Sequence, residues 1–234
     1  MSKTNLVIIP TYNERDNILP LMGEILSQVP TTHILVVDDG SPDGTANLVK
    51  QAAQTDPRIH LLEGTGKGGL GKAYLKGFRW CLQQGYQSCV QMDADFSHRP
   101  VDLKLLVKGL DTSAVVIGSR YCPGGGTANW SWYRKLISRF GSLYSRLILG
   151  FPISDWTGGF NGWQAEVLRR LPLDAVRSEG YSFQIEMKYR ACRAGVVPQE
   201  IPILFEERRE GASKMSLQIV IEAFYRVWQI RWVV

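Results

Sequence analysis

The stretch Ile34-Leu35-Val36-Val37-Asp38-Asp39-Gly40-Ser41-Pro42-Asp43-Gly44-Thr45 decides the fold. An unbroken apolar run ends abruptly in carboxylates, glycines and a proline. Continuous rather than alternating apolar character marks a strand buried on both faces, as in a parallel sheet. The same kind of run recurs at Leu6–Ile9, Ile59–Leu62, Cys89–Met92 and Val115–Ile117. Between the runs, Asn17–Gln28, Thr45–Ala53, Gly71–Gln84 and Asp102–Gly109 have helical periodicity. Strands alternating with helices predict an α/β fold with a doubly wound, mostly parallel sheet. After Tyr121 the rhythm breaks. A Gly- and Trp-rich loop leads to a basic helix, then to a helix around Tyr181–Ala194, a strand near Ile201–Phe205 and an apolar tail helix.

A chain of 234 residues with 44% hydrophobic and 21% charged residues has ordinary globular composition, which excludes a disordered or collagen-like protein. The expected division is one domain over residues 1–214 and an apolar helix over 215–234. A net charge of +5 is too small to name a partner. Cys81, Cys89, Cys122 and Cys192 lie far apart without a Cys-x-x-Cys pair, which fits a reducing compartment and gives no zinc pattern. The opening apolar run is too short for a signal peptide. No run of about 20 uncharged apolar residues occurs, and the tail that comes nearest is interrupted by Glu222, Arg226 and Arg231.

Ligands of open α/β sheets bind beyond the carboxyl ends of the strands. The first run leads into Pro10-Thr11-Tyr12-Asn13-Glu14, the second into Asp38-Asp39, the fourth into Asp93-Ala94-Asp95-Phe96-Ser97-His98 and the fifth into Gly118-Ser119-Arg120. Carboxylates converging on one crevice repel one another unless a cation lies among them. Their hard oxygens suit Mg²⁺ or Mn²⁺, ions that also hold substrate phosphates. Asp43 and Thr45 have a simpler role, closing a turn and starting the next helix. Asp93 and Asp95 follow the strand directly and point to a metal–diphosphate site.

These segments resemble the family 2 glycosyltransferases of the GT-A fold, and among them the dolichyl-phosphate mannosyltransferases. Gly118-Ser119-Arg120-Tyr121, Asp155-Trp156-Thr157-Gly158-Gly159-Phe160, Gly180–Met187 and Arg208 with Ser213-Lys214 follow in the same order. The resemblance implies that Pro10, Tyr12, Glu14, Val37 and Asp39 hold the nucleoside of GDP-mannose, and that Asp93, Ala94 and Asp95 face its ribose, diphosphate and metal. Asp93, Asp95 and Ser97 are the implied metal positions. Arg120, Arg208 and Lys214 would neutralise phosphates, and Asp155 would orient the acceptor or a sugar hydroxyl. Some family members carry Arg directly after the Phe of the Asp-x-Thr-Gly-x-Phe motif. Here Asn161 stands there, so the acceptor phosphate either lacks that contact or draws on Arg134 or Arg139. The implied reaction is transfer of mannose to a polyprenyl phosphate with inversion. A phosphate nucleophile, with a second pKa of about 6, needs no strong general base. The nearest rival is a UDP-glucose-dependent enzyme of the same fold, and the next a nucleotide-binding module without catalysis.

Gly64–Lys72 superficially matches phosphate-binding loops. Yet it follows the third strand, and Ala73 stands where a P-loop needs a hydroxyl. The expectation is a turn opening a helix. His33 and His60 read as surface residues at strand starts, and His98 as a supporting residue of the site. From Tyr133 to Leu149, Leu136, Ile137, Phe140, Leu143, Tyr144, Leu147 and Ile148 share one helical face, opposite Arg134, Lys135, Ser138, Arg139, Ser142, Ser145 and Arg146. By pattern alone such a helix packs on a core. The absence of any acid from Thr112 to Ser154 instead predicts a peripheral seat on the cytoplasmic face of a membrane, with Arg134, Lys135 and Arg139 at lipid phosphates. Nucleic acid is not an expected partner. The tail has three open readings: packed on the domain, lying in the interface, or holding a small membrane-protein partner.

Overall fold

The computed structural model describes residues 5–64, 66, 68–207 and 217–234, with side chains of the last segment from Phe224 onward. In chain order the elements are β1 (Asn5–Thr11), α1 (Arg15–Gln28), β2 (His33–Asp38), α2 (Thr45–Thr55), β3 (Ile59–Glu63), α3 (Leu70–Gln83), β4 (Ser88–Gln91), α4 (Pro100–Gly109) and β5 (Val115–Ser119). There follow β6 (Gly126–Thr127), α5 (Trp132–Leu149), β7 (Asn161–Gln164), α6 (Ala165–Arg170), α7 (Gly180–Arg193), β8 (Gln199–Pro202), β9 (Leu204–Phe205) and α8 (Leu217–Val233). Seven strands form one sheet in the order β3-β2-β1-β4-β7-β5-β8. All its pairings are parallel except those of β7, which runs antiparallel between β4 and β5. The small β6 and β9 pair beside it.

Side-chain alternation along the strands explains the layers. Leu6 and Ile8 of β1, with Leu35 and Val37 of β2, face a core shared with α3, α6 and α7. Val7, Ile9, Ile34 and Val36 face the opposite core, under α1 and α4. Both faces are therefore apolar, as the continuous runs predicted. Helix α3 lies so close to β1 that a Cβ on Gly77 would come within 2.5 Å of Ile8. A third cluster joins Ile117, Leu149, Trp156, Ile185 and Tyr189 to Val227 and Ile230 of α8. Of the three readings of the tail, the described part thus packs on the domain, leaving Trp232 exposed.

The strand β7 was not apparent in the sequence. Asn161-Gly162-Trp163-Gln164 is too short and too polar to show a period, and it is made a strand by its neighbours. The histidines also differ from expectation. His33 and His60 are half-buried neighbours on adjacent strands, stacked at 5.4 Å, with Tyr86 Oη 2.9 Å from His33 Nδ1. Trp80 of α3 covers the His60 ring at 5.0 Å.

Candidate active site

The carboxyl ends of β2, β1 and β4 carry the residues singled out above. Asp38 builds the floor of the first turn: its carboxylate accepts from Thr11 Oγ1, Gly40 N, Ser41 N and Ser41 Oγ. Asp43 accepts from the backbone N–H and the hydroxyl of Thr45, which settles its turn-closing role. Asp39 is buried and accepts from the N–H groups of Gly68 and Gly69, with Lys76 at 3.9 Å. The Gly-rich segment is therefore strapped to the β2 end by Asp39, and it opens helix α3 as the expected turn. Tyr12 is exposed, and Pro10 and Glu14 are half-exposed, at and just beyond the β1 end. Val37 and Ala94 do not offer their side chains. Both are buried: Val37 by strand alternation in β2, on one face of the sheet, and Ala94 in the turn after β4, against the core on the other.

Asp93 leaves β4 half-exposed, with Oδ1 accepting from Tyr74 Oη at 3.1 Å. His98 stands behind it. Its Nδ1 accepts from the Asp93 backbone N–H at 3.1 Å, which requires the unprotonated nitrogen. Burial lowers the His98 pKa against the pull of nearby Asp93, and the ring stacks on Phe160 at 4.8 Å. His98 is thus a neutral prop for the Asp93 backbone. Asp95 accepts from Ser97 N at 3.1 Å. Ser97 is 2% exposed, yet its Oγ has no hydrogen-bond partner among the described residues. Between them Phe96 has φ +61°, and Asn13 at the neighbouring β1 end has the same value. Left-handed backbone at a bulky residue is strained and is commonly retained at functional sites.

Arg120 and Asp155 are placed differently from the expectation. Arg120 Nε and Nη2 each donate to the Asp155 carboxylate at 2.7 Å, and both residues are buried. Burial acts against the Arg120 charge, but the carboxylate beside it outweighs this and raises its pKa. Burial would raise the Asp155 pKa, whereas the Arg120 charge and hydrogen bonds bring it down to about 2. The guanidinium is thus engaged by a buried carboxylate, and the carboxylate by the guanidinium. Both hold the loop before β7. Sequence reasoning missed Lys188 in this network. It is fully buried, and its Nζ donates to the carbonyls of Asp155, Trp156 and Gly158. Burial pulls its pKa down to about 8. Glu200 completes the loop's support by accepting from the N–H groups of Ser154 and Asp155.

Helix α5 is turned round relative to its pattern. Its small polar face packs inward through Ser142 and Ser145, while Leu136, Phe140, Leu143 and Leu147 point to solvent. Arg134 therefore lies on the inner side, paired to Glu207 at 3.0 Å and over the Trp130 ring at 4.1 Å. That corrects its placement among outward cations, whereas Lys135, Arg139 and Arg146 are exposed. Arg208 and Lys214 lie outside the described residues.

A mostly parallel sheet with a carboxylate-lined strand end is the nucleotide-sugar-dependent GT-A arrangement. The glycosyl transferase family 2 profile matches residues 6–171, and the chain belongs to that family. It is 48% identical to the polyprenol monophosphomannose synthase of Mycolicibacterium smegmatis, over 98% of this chain and 88% of that protein. It is likewise 48% identical to the undecaprenyl-phosphate mannosyltransferase of Micrococcus luteus, over 97% of this chain and 93% of that one. Among solved structures, glucosyl-3-phosphoglycerate synthase of Mycobacterium tuberculosis with Mn²⁺, UDP and glucosyl-3-phosphoglycerate shares the fold. Its TM-score is 0.66 at 19% identity, over 97% of this chain and 78% of that one.

Proposed function

We propose that this glycosyltransferase moves a mannosyl group from GDP-mannose to a polyprenyl phosphate at a membrane surface, with inversion at the anomeric carbon. The observation that carries the reading is the near full-length similarity to two enzymes whose names join mannose to a polyprenyl phosphate. The site supports it chemically. Among the described residues the two candidates for a general base are engaged: His98 is buried with Nδ1 accepting, and Asp155 is locked to Arg120. A phosphate acceptor needs none, because it is already largely ionised at neutral pH. The requirement is stabilisation of the departing diphosphate.

Mg²⁺ or Mn²⁺ belongs to this proposal, and the residues fit it. Asp93 and Asp95 supply hard oxygens, and the buried Ser97 Oγ without a protein partner suits a third. Among the described residues no three His, Cys, Asp or Glu gather as a metal cage, so in this reading substrate phosphates would complete the shell. When bound, the ion neutralises diphosphate charge as GDP departs. Tyr74 and His98 hold Asp93 from below, and Arg208 and Lys214 are assigned to the phosphates by motif alone. Purified protein with labelled GDP-mannose or UDP-glucose, Mn²⁺ and polyprenyl phosphate should pass mannose label into the lipid phase. Entry of glucose label instead overturns the donor.

The membrane seat is assigned to α5. Trp132, Leu136, Phe140, Leu143 and Leu147 form an outward apolar stripe, with Trp132 77% and Leu147 72% exposed. Lys135, Arg139 and Arg146 flank it, each worth about 1 kcal/mol near anionic lipid. Among the described residues no helix is long and apolar enough to cross a membrane. Replacing Leu136 and Leu147, 62% and 72% exposed, together with Glu should weaken sedimentation with anionic vesicles at least about tenfold. Because both side chains already face solvent, thermal stability should not change. Undiminished vesicle binding would place the seat elsewhere.

A further inference from the structure

A chain of buried amides runs beneath the strand ends, and its orientation can be derived. Trp163 Nε1–H, which can only donate, lies 2.8 Å from Gln91 Oε1, so the Gln91 oxygen faces it. The Gly158 carbonyl, which can only accept, lies 3.1 Å from Asn161 Nδ2 and fixes that amide. The same Asn161 nitrogen also lies 3.3 Å from Gln91 Oε1 and 3.1 Å from Gln184 Oε1, three acceptors for two hydrogens; since an amide nitrogen cannot accept, Gln184 turns its oxygen rather than its nitrogen to Asn161. The Gln184 nitrogen is thereby turned the other way. It is buried, in a residue 2% exposed, and like Gln91 Nε2 and Asn161 Oδ1 of the same row it has no hydrogen-bond partner among the described residues. Buried amide N–H groups are rarely left so.

Gly159 shows where that nitrogen points. A Cβ built there would lie 3.4 Å from Gln184 Nε2, 3.7 Å from His98 Cε1 and 3.9 Å from Asp93 Oδ2. The space beside Gly159 is thus bordered by a hydrogen-bond donor and a carboxylate acceptor. A hydroxyl satisfies both, accepting from Gln184 and donating to Asp93. A phosphate oxygen satisfies only one, since it brings no proton to Asp93 and is repelled by its charge.

We propose that Gln184, together with Asp93, binds one ring hydroxyl of the donor sugar in the space beside Gly159, and so determines which sugar is accepted. This rests on the nucleotide-sugar reading above. Gly159 is small because a side chain there would occupy the hydroxyl's place. Sites built to hydrogen-bond a substrate hydroxyl discriminate strongly against analogues that lack it.

Two variants test it. Gly159→Ala puts a methyl group into the space at ordinary van der Waals distances, without disturbing the amide chain. Gln184→Leu removes the donor. Each is compared with the wild type for nucleotide affinity by calorimetry, and for kcat/KM on donors lacking one ring hydroxyl at a time. The panel uses GDP-mannose or UDP-glucose, whichever the wild type accepts. A wrong donor assignment then shows in the wild type, and a wrong role for Gln184 shows only in the variants. The wild type should lose at least about tenfold on one deoxy analogue. Both variants should lose a similar factor on the full donor and no further factor on that analogue, with affinity for GDP or UDP alone within about twofold of the wild type. Nucleotide affinity that falls in parallel would hand the contact to the ribose or diphosphate and overturn the proposal. So would folded Gly159→Ala that keeps the wild-type preference among the analogues.

Discussion

Asp95→Asn leaves the protein folded and lowers mannosyl transfer by at least about a hundredfold, the scale of losing one strong stabiliser of developing charge. Asp95 is half-exposed at the end of β4, and its Oδ1 accepts from Ser97 N, a contact that asparagine can retain through its own oxygen. The turn therefore survives, and the change removes one negative charge from the face that meets the diphosphate. Thermal unfolding should match the wild type, while transfer measured with saturating donor collapses. Chelation with EDTA should abolish wild-type transfer, and added Mn²⁺ should restore it in the wild type but not in the variant. A folded variant with near-normal turnover would remove Asp95 from the site.

Asp155→Ala acts on the fold instead. It strands the Arg120 guanidinium in the interior, and leaves Gly158 N and Arg120 N without their carboxylate acceptor. Breaking a buried pair from one side costs about 3–5 kcal/mol. For a chain of this size that lowers the melting temperature by about 6–20 °C. The same pair sets an acid limit. The folded-state pKa of Asp155 is depressed to about 2 from 3.8, so its contribution is complete above the ordinary carboxylate value and is lost as pH falls from about 4 to 2. Acid titration of the wild type should show stability falling through that window. Asp155→Ala should be less stable at neutral pH and show a shallower acid decline. An unchanged melting temperature would mean that the loop before β7 is held by Lys188 and Glu200 alone.

The parallel sheet, its helices and the carboxylates at the end of β4 were legible in the sequence. Each is encoded locally: a buried strand must be apolar throughout, and a carboxylate directly after such a strand has few structural reasons to be there. The strand β7 was not legible. Gly162 and Asn161 have little strand preference, and their place between β4 and β5 comes from partners more than forty residues away. The cations Arg120 and Arg134 were found but misplaced, because a motif names a charge without naming its counter-ion. Asp155 and Glu207 claim them only once the chain is folded.

By itself the sequence determined the layer order, the strand ends that carry carboxylates and the amphipathic character of α5, since periodicity and local turn chemistry need no long-range information. Tertiary structure alone decided which way those features face. An amphipathic helix has two faces, and its pattern does not say which one meets the protein. Here the small serines allow α5 to approach closely, which turns Phe140 and Leu147 to solvent. Likewise Gln184 reads as one polar position in α7, until the Trp163 and Gly158 hydrogen bonds fix a row of amides and leave its donor turned toward the Gly159 space. Hydrogen-bond direction is a property of a network, and networks exist only after folding.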